Sequence, residues 1–188
     1  MADLETLLAT LPYWTRRRGR KSVVKLGGSA MEDPTGLSAA IRDLAWLHVV
    51  GRRVVVVHGG GKAIDRALEA AGITPKKVDG RRVTDAATLD VVVRVLGSEL
   101  NGDLVARLRE AGAPALGLSH LLAGELLDPR LGRVGAVRAV DTALLDAFDG
   151  IAVLPSLARD TDGAWLNVNA DDAAAAVATR WAADELIF

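Results

Sequence analysis

The chain has 188 residues, no cysteine, and a net charge of −1 from 23 basic and 24 acidic residues. That balance argues against a general nucleic-acid binder, an aromatic content of 4% argues against a base-stacking platform, and the missing cysteine removes disulfides, Cys–zinc sites and thiol nucleophiles. Half of the residues are hydrophobic, enough for one compact domain, yet no uninterrupted apolar run approaches the roughly 20 residues of a membrane span.

In chain order, Leu4, Leu7, Leu8 and Leu11 stand at helical spacing and Pro12 discourages continuation. Residues 1–14 therefore read as a short amphipathic helix ahead of a domain that occupies 15–188. Asp3 and Glu5, with no basic run before them, are unlike a secretory signal, and the cysteine-free composition suits a reducing cytoplasm. Residues 15–21 are basic and read as a solvated connection.

A β-α alternation follows. Residues 22–26 form a short apolar strand ending in Gly27 and Gly28, and Asp33-Pro34 supplies an N-cap and first helical position for a face of Leu37, Ile41, Leu44 and His48. Val54 to Val57 reads as a buried parallel strand running into His58-Gly-Gly-Gly61, then a helix over 62–71 closed by Gly72. Thr84 or Asp85 caps a long helix striped by Leu89, Val92, Val93, Leu96, Leu100, Leu104 and Leu108 and closed by Gly112. Residues 115–118 are expected to be a third core strand and 120–140 an irregular excursion with short strands, the clearest over 134–140. Asp141 caps a short helix to Phe148, residues 151–154 form another apolar strand, Asp162-Gly163 marks a turn, and Asp171 opens an alanine-rich helix to about Ala183. An apolar strand begins at Glu185, and reads either as a final edge strand or as the start of a longer layout. The alternation predicts an α/β fold, a three-layer α-β-α sandwich with a mainly parallel sheet.

Chemistry concentrates where strands give way to helices. The turns Lys25-Leu-Gly-Gly28 and His58-Gly-Gly-Gly61 let backbone N–H groups approach an anion, and would converge if their strands are neighbours. Neither is a Walker loop or a dinucleotide fingerprint. Lys25 stands in an otherwise apolar strand and needs an anionic partner, which phosphoryl transfer supplies. Arg82 either grips a carboxylate or is a surface arginine beside Arg81. Asp171 is either an N-cap or the residue that orients Lys25. His58 reads as a packed or turn histidine, without the clustered partners of a metal site.

The segments Ser22-Val-Val-Lys-Leu-Gly-Gly-Ser-Ala-Met31, Val57-His-Gly-Gly-Gly-Lys62, Asp79-Gly-Arg-Arg-Val-Thr-Asp85 and Asn167-Val-Asn-Ala-Asp171, in this order, resemble N-acetylglutamate kinase of the amino acid kinase family. The resemblance implies transfer of phosphate from ATP, with Mg2+ as co-substrate and no tightly bound cofactor or protein-held metal, to the side-chain carboxylate of N-acetyl-L-glutamate in arginine biosynthesis. It implies catalytic roles for Lys25, at the transferring phosphoryl group, and Asp171, which would organise the lysines. It implies acceptor binding by Gly60, Gly61, Arg82 and Asn167, with Gly27 and Gly28 as phosphate-loop backbone. The stretch from Gly117 to Gly124 departs from the family's pattern at the expected edge of the acceptor site. The chain matches the acceptor-binding part and stops where the nucleotide-binding half is expected, so a silent metabolite-binding or assembly module is the competing reading. Residues 5–13 resemble the N-terminal helix of arginine-sensitive, hexameric members, which implies a homo-oligomer, dimeric or hexameric. No nucleic-acid or membrane partner is expected.

Overall fold

The computed structural model describes residues 4–188; the side chains of Ser29 and of Leu7, a member of the expected opening stripe, lie outside the described set. The opening helix, α1 (Leu4–Arg17), runs through Pro12 instead of stopping there. A proline forfeits one hydrogen bond to the preceding turn. The turns beyond it are held by Thr15 Oγ1 donating to the Leu11 carbonyl at 2.9 Å, by Arg17 lying 4.4 Å over the Tyr13 ring, and by Trp14 meeting Trp46 edge-on. The basic stretch is correspondingly not a free connection: Thr15, Arg16 and Arg17 are helical and Lys21 already belongs to the first strand.

The remaining elements are β1 (Lys21–Leu26), α2 (Gly28–Glu32), α3 (Pro34–Val49), β2 (Arg53–His58), α4 (Gly61–Ala70), the hairpin β3 (Lys77–Val78) and β4 (Arg81–Arg82), and α5 (Ala86–Arg94). A π-helical turn over Val95–Leu100 joins α5 to α6 (Asn101–Glu110), followed by β5 (Ala115–Gly117), β6 (Leu122–Leu126), a 3-10 turn at Pro129–Leu131 and β7 (Val134–Val140). The chain closes with α7 (Ala143–Ala147), β8 (Ile151–Pro155), β9 (Leu157–Arg159), β10 (Trp165–Val168), α8 (Ala170–Arg180) and β11 (Glu185–Ile187).

Five strands form one sheet in the order β11-β1-β2-β8-β5, every neighbouring pair parallel. The valine run of β2 shows how the sheet is covered. Val54 and Val56 face Ile41 and Leu44 of α3 and Leu104 and Leu108 of α6, while Val55 and Val57 face Ala173, Ala174 and Val177 of α8. Successive side chains of a strand point to opposite faces, so an uninterrupted apolar strand requires a layer on each side. This is the expected three-layer α-β-α arrangement. The expected caps are present: Asp33 accepts from the Thr35 N–H, Asp85 from that of Thr88, and Asp141 from that of Ala143. Gly72 and Gly112 follow their helices with φ of 72° and 89°, the left-handed geometry that glycine adopts freely.

Two expectations are sharpened. The expected core strand at residues 115–118 is present as β5, with Ala115 buried, but it stands at the sheet edge, paired only to β8, and its Leu116 is exposed. The excursion over 120–140 holds short strands as expected, and they have a common partner: β6 and β7 form an antiparallel pair that joins β9 and β10 in a small four-stranded closed barrel. The bulge between Ala123 and Gly124 and the short strand lengths hide the alternation. The expected stripe of the long helix is buried or partly buried throughout, and the packed face takes in Val91 and Val95 as well.

Candidate functional site

The carboxyl ends of β1, β2 and β8 lie side by side. From β1 the chain turns through Gly27 and Gly28 into α2; from β2 it passes Gly59 and Gly60 into α4; from β8 it runs through Ser156 directly into β9 of the barrel. A cavity of about 260 Å³ opens over these three ends, and Lys25, Gly27, Gly28, Gly60, Gly61, Arg82, Asn167 and Asp171 all border it. Every site residue singled out from the sequence is thus brought to one place. The stretch from Gly117 to Gly124 is not among the described residues that border the cavity, whereas Gly80, Arg81 and Arg82 are.

Lys25 is only partly exposed, and its Nζ lies 2.8 Å from Asp171 Oδ1. The ammonium folds over the glycine turn so closely that a Cβ on Gly27 would stand 3.0 Å from it. Asp171 is not the helix cap. Asn169 caps α8, its Oδ1 accepting from the N–H groups of Asp171 at 2.8 Å and Asp172 at 3.0 Å. Relieved of capping, Asp171 faces Lys25. Asn169 was visible in the sequence as an amide at a strand-to-helix turn but had no assigned role.

Arg82 is buried, not a surface arginine: its side chain is 8% exposed. Its Nη1 lies 2.6 Å from Asp65 Oδ1 on α4, and its Nη2 donates to the Gly61 carbonyl at 3.2 Å. Asp65 also lies 3.7 Å from Lys77 Nζ. Arg81, the other basic residue of β4, pairs with Asp172 at 3.1 Å. Asn167 Nδ2 donates to the fully buried Thr84 Oγ1 at 3.0 Å, and Thr84 Oγ1 in turn donates to the Arg82 carbonyl at 3.0 Å. Asn167 and Arg82 are therefore positioned through a common residue. Asp65, Thr84, Asn169, Arg81 and Ser156 were missed in the sequence, because nothing in their spacing marks the long-range contacts that place them here.

Beneath the second glycine turn, His58 is fully buried. Its Nδ1 lies 3.0 Å from the Gly59 carbonyl, an acceptor only, so Nδ1 carries the proton; Nε2 then accepts from Asn101 Nδ2 at 3.1 Å. Burial pushes the His58 pKa down to about 4, partly opposed by the bond to Gly59, and the ring is neutral near pH 7. Leu96 and Leu100 of the π turn press on Gly60 from the other side. The helices that follow the two turns are joined outside the cavity lining: Glu32 at the end of α2 takes two hydrogen bonds of 2.7 Å from Arg66 on α4, which hold the Glu32 carboxyl below its ordinary range.

The site is thus a lysine, two glycine turns and a buried arginine around a cavity, the equipment for holding anionic groups close together. The family model described as "Amino acid kinase family" matches residues 20–188. The acetylglutamate kinase of Nostoc punctiforme is 42% identical over 98% of this chain and 64% of its own length, and that of Jannaschia sp. is 39% identical over 100% of this chain and 68% of its own. The chain therefore spans about two thirds of the length of these relatives, and less than that of the first. Among solved structures, the N-acetylglutamate synthase of Neisseria gonorrhoeae, crystallised with coenzyme A and N-acetyl-glutamate, superposes with a TM-score of 0.82 at 27% identity, covering 98% of this chain and 45% of the synthase. With a family model matched along nearly its whole length, and a fold and site of the kind described, the chain belongs to the amino acid kinase family.

Proposed function

We propose that this chain carries the acceptor site of an ATP-dependent kinase that phosphorylates the side-chain carboxylate of N-acetyl-L-glutamate in arginine biosynthesis. The observation that carries this reading is the Lys25–Asp171 pair set over two adjacent glycine turns. Two anions, the carboxylate and the phosphoryl group, must meet in line, so the site needs positive charge and backbone donors more than a general base. The carboxylate oxygen attacks the terminal phosphorus of ATP, the bond to the bridging oxygen breaks, and ADP leaves. Lys25 stands where the transferring group would gather negative charge, and Asp171 keeps its ammonium aimed there. Gly27, Gly28, Gly60 and Gly61 offer backbone N–H groups to the oxygens. Arg82, preset by Asp65, and Asn167 take the α-carboxylate region of the acceptor. Among the described residues no group of three His, Cys, Asp or Glu side chains is placed to hold a metal ion, and Mg2+ is read as arriving on the phosphates of the nucleotide.

The family likeness also supports a homo-oligomer. Leu4, Leu8 and Leu11 of α1 are exposed, so the described part of this apolar stripe is not docked on its own subunit and is available to another copy. No helix among the described residues is long and apolar enough to cross a membrane, and a cytoplasmic setting fits the proposed reaction.

Calorimetry with N-acetyl-L-glutamate tests the acceptor site on this chain. We expect saturable one-to-one binding, weakened by roughly 2–5 kcal/mol in Arg82→Ala, which strips the buried cation from its carboxylate partners. Absence of binding to the wild-type chain, or equal affinity in both proteins, overturns the assignment.

A further inference from the structure

Ser156 sits at the joint where β8 leaves the open sheet and continues as β9 of the barrel. The residue is 3% exposed. Its backbone is fully engaged: the N–H donates to the His58 carbonyl at 3.0 Å, and the carbonyl accepts from the Val168 N–H at 3.1 Å. Its hydroxyl has no hydrogen-bond partner among the described residues, yet the residue borders the cavity. The hydroxyl is not one of the fully enclosed unpaired atoms, so its hydrogen-bonding capacity is open to the cavity. Other buried polar side chains behind the lining do have partners: Thr84 is bonded on both sides, Asn101 bridges His58 Nε2 and the Val153 carbonyl, and His58 uses both ring nitrogens. Ser156 is a cavity-lining hydroxyl with no such partner among the described residues.

Its place in the sheet says what it faces. β1, β2 and β8 are consecutive, so Ser156 stands two strands from the strand of Lys25, about 10 Å at ordinary strand spacing. Gly60 and Gly61 lie between them, and Arg82 approaches from above on β4. A dicarboxylate whose reacting end lies at Lys25 and whose other carboxylate lies at Arg82 carries its remaining substituent toward β8. The cavity lining also includes the apolar side chains Ile64, Leu96 and Val134. Resting on the acceptor reading above, we infer that Ser156 is a specificity-determining residue, its hydroxyl hydrogen-bonding the acyl-amide group of an N-acylated amino acid acceptor.

The test is calorimetric titration of N-acetyl-L-glutamate, and displacement titration of glutarate, which keeps both carboxylates and lacks the amide, into wild type, Ser156→Ala and Ser156→Cys. One neutral hydrogen bond corresponds to roughly tenfold in affinity. Ser156→Ala is expected to bind N-acetyl-L-glutamate about tenfold less tightly and glutarate unchanged, with a melting temperature equal to or above that of wild type, since the hydroxyl removed has no protein partner. Ser156→Cys, with its weaker donor, is expected between the two. Unchanged affinity of Ser156→Ala for N-acetyl-L-glutamate, or an equal loss for both ligands, overturns the inference while the acceptor reading stands. If Ser156→Ala melts lower than wild type, Ser156→Cys decides by the same comparison. Failure of the wild-type chain to bind either ligand overturns the acceptor reading itself, and this inference with it.

Discussion

A methyl group added at Gly60 would lie 2.5 Å from Leu100 Cδ1 and 2.8 Å from Leu96 Cδ2, whereas at Gly61 it would meet nothing within 4 Å. The two neighbours are indistinguishable in the sequence but not in their surroundings. Gly60→Ala must push the π turn aside and is expected to cost about 1–3 kcal/mol of stability, with Gly61→Ala within about 0.5 kcal/mol of wild type. Urea unfolding of the two variants checks this; equal losses would show that the leucines yield freely. His58 adds a pH dependence. Its folded pKa lies below its unfolded value near 6.5, so the unfolded chain binds the proton first as pH falls. The contribution is complete above about pH 6.5 and is lost as pH drops toward about 4, amounting to about 2 kcal/mol between pH 7 and pH 5. Unfolding curves at those two pH values should show this loss in wild type and not in His58→Gln. A loss of equal size in both would assign the effect to other groups. At this scale, Lys25 was legible because a lysine in an apolar strand demands an anion. Ser156 and Thr84 were not, because a serine or threonine next to a strand is compatible with any surroundings.

Helix α8 illustrates what an element contributes beyond its residues. Its amide cap, Asn169, satisfies two N–H groups and in doing so sets the first turn that carries Asp171 to Lys25. Asn169→Ala is expected to lower stability by about 1 kcal/mol and to weaken any ligand held at Lys25, an outcome read from melting and titration together. A stability loss with unchanged ligand affinity would confine Asn169 to capping. Elements governed by local rules were readable: the valine run of β2, the aspartate caps of α3 and α5, the glycines closing α4 and α6. Those set by distant partners were not. The two-residue strands β3 and β4 have no periodicity to detect, and the turn beyond them is secured by Thr84 bridging Gly132, nearly fifty positions away. The barrel strands share that origin, and α1 passed its proline because its turns gain contacts with Trp46 that no local rule records.

For the whole molecule, the outward face of α1 leads to a prediction about assembly. Deleting residues 1–17 removes the exposed leucine stripe while leaving the three-layer core in place, and is expected to reduce a hexamer, the larger of the two assemblies the family likeness suggests, to dimers with circular dichroism unchanged apart from the lost helix. Light scattering on both proteins gives the answer; an unchanged mass, or a wild-type chain that is monomeric, removes the hexamer. The layered architecture and the convergence of the glycine turns were both foreseeable, since each follows from strand-helix alternation. The floor of the site was not, because it depends on β8 passing straight from sheet to barrel. At the opposite, amino end of the sheet, buried Arg52 donates to Ser22 Oγ at 2.5 Å and to Glu185, tying β2, β1 and β11 together. This cross-tie pins neighbouring strands at the end of the sheet opposite the Gly28 and Gly60 turns, so the strands that present the proposed anion site are held in register by a charge that does not border the cavity.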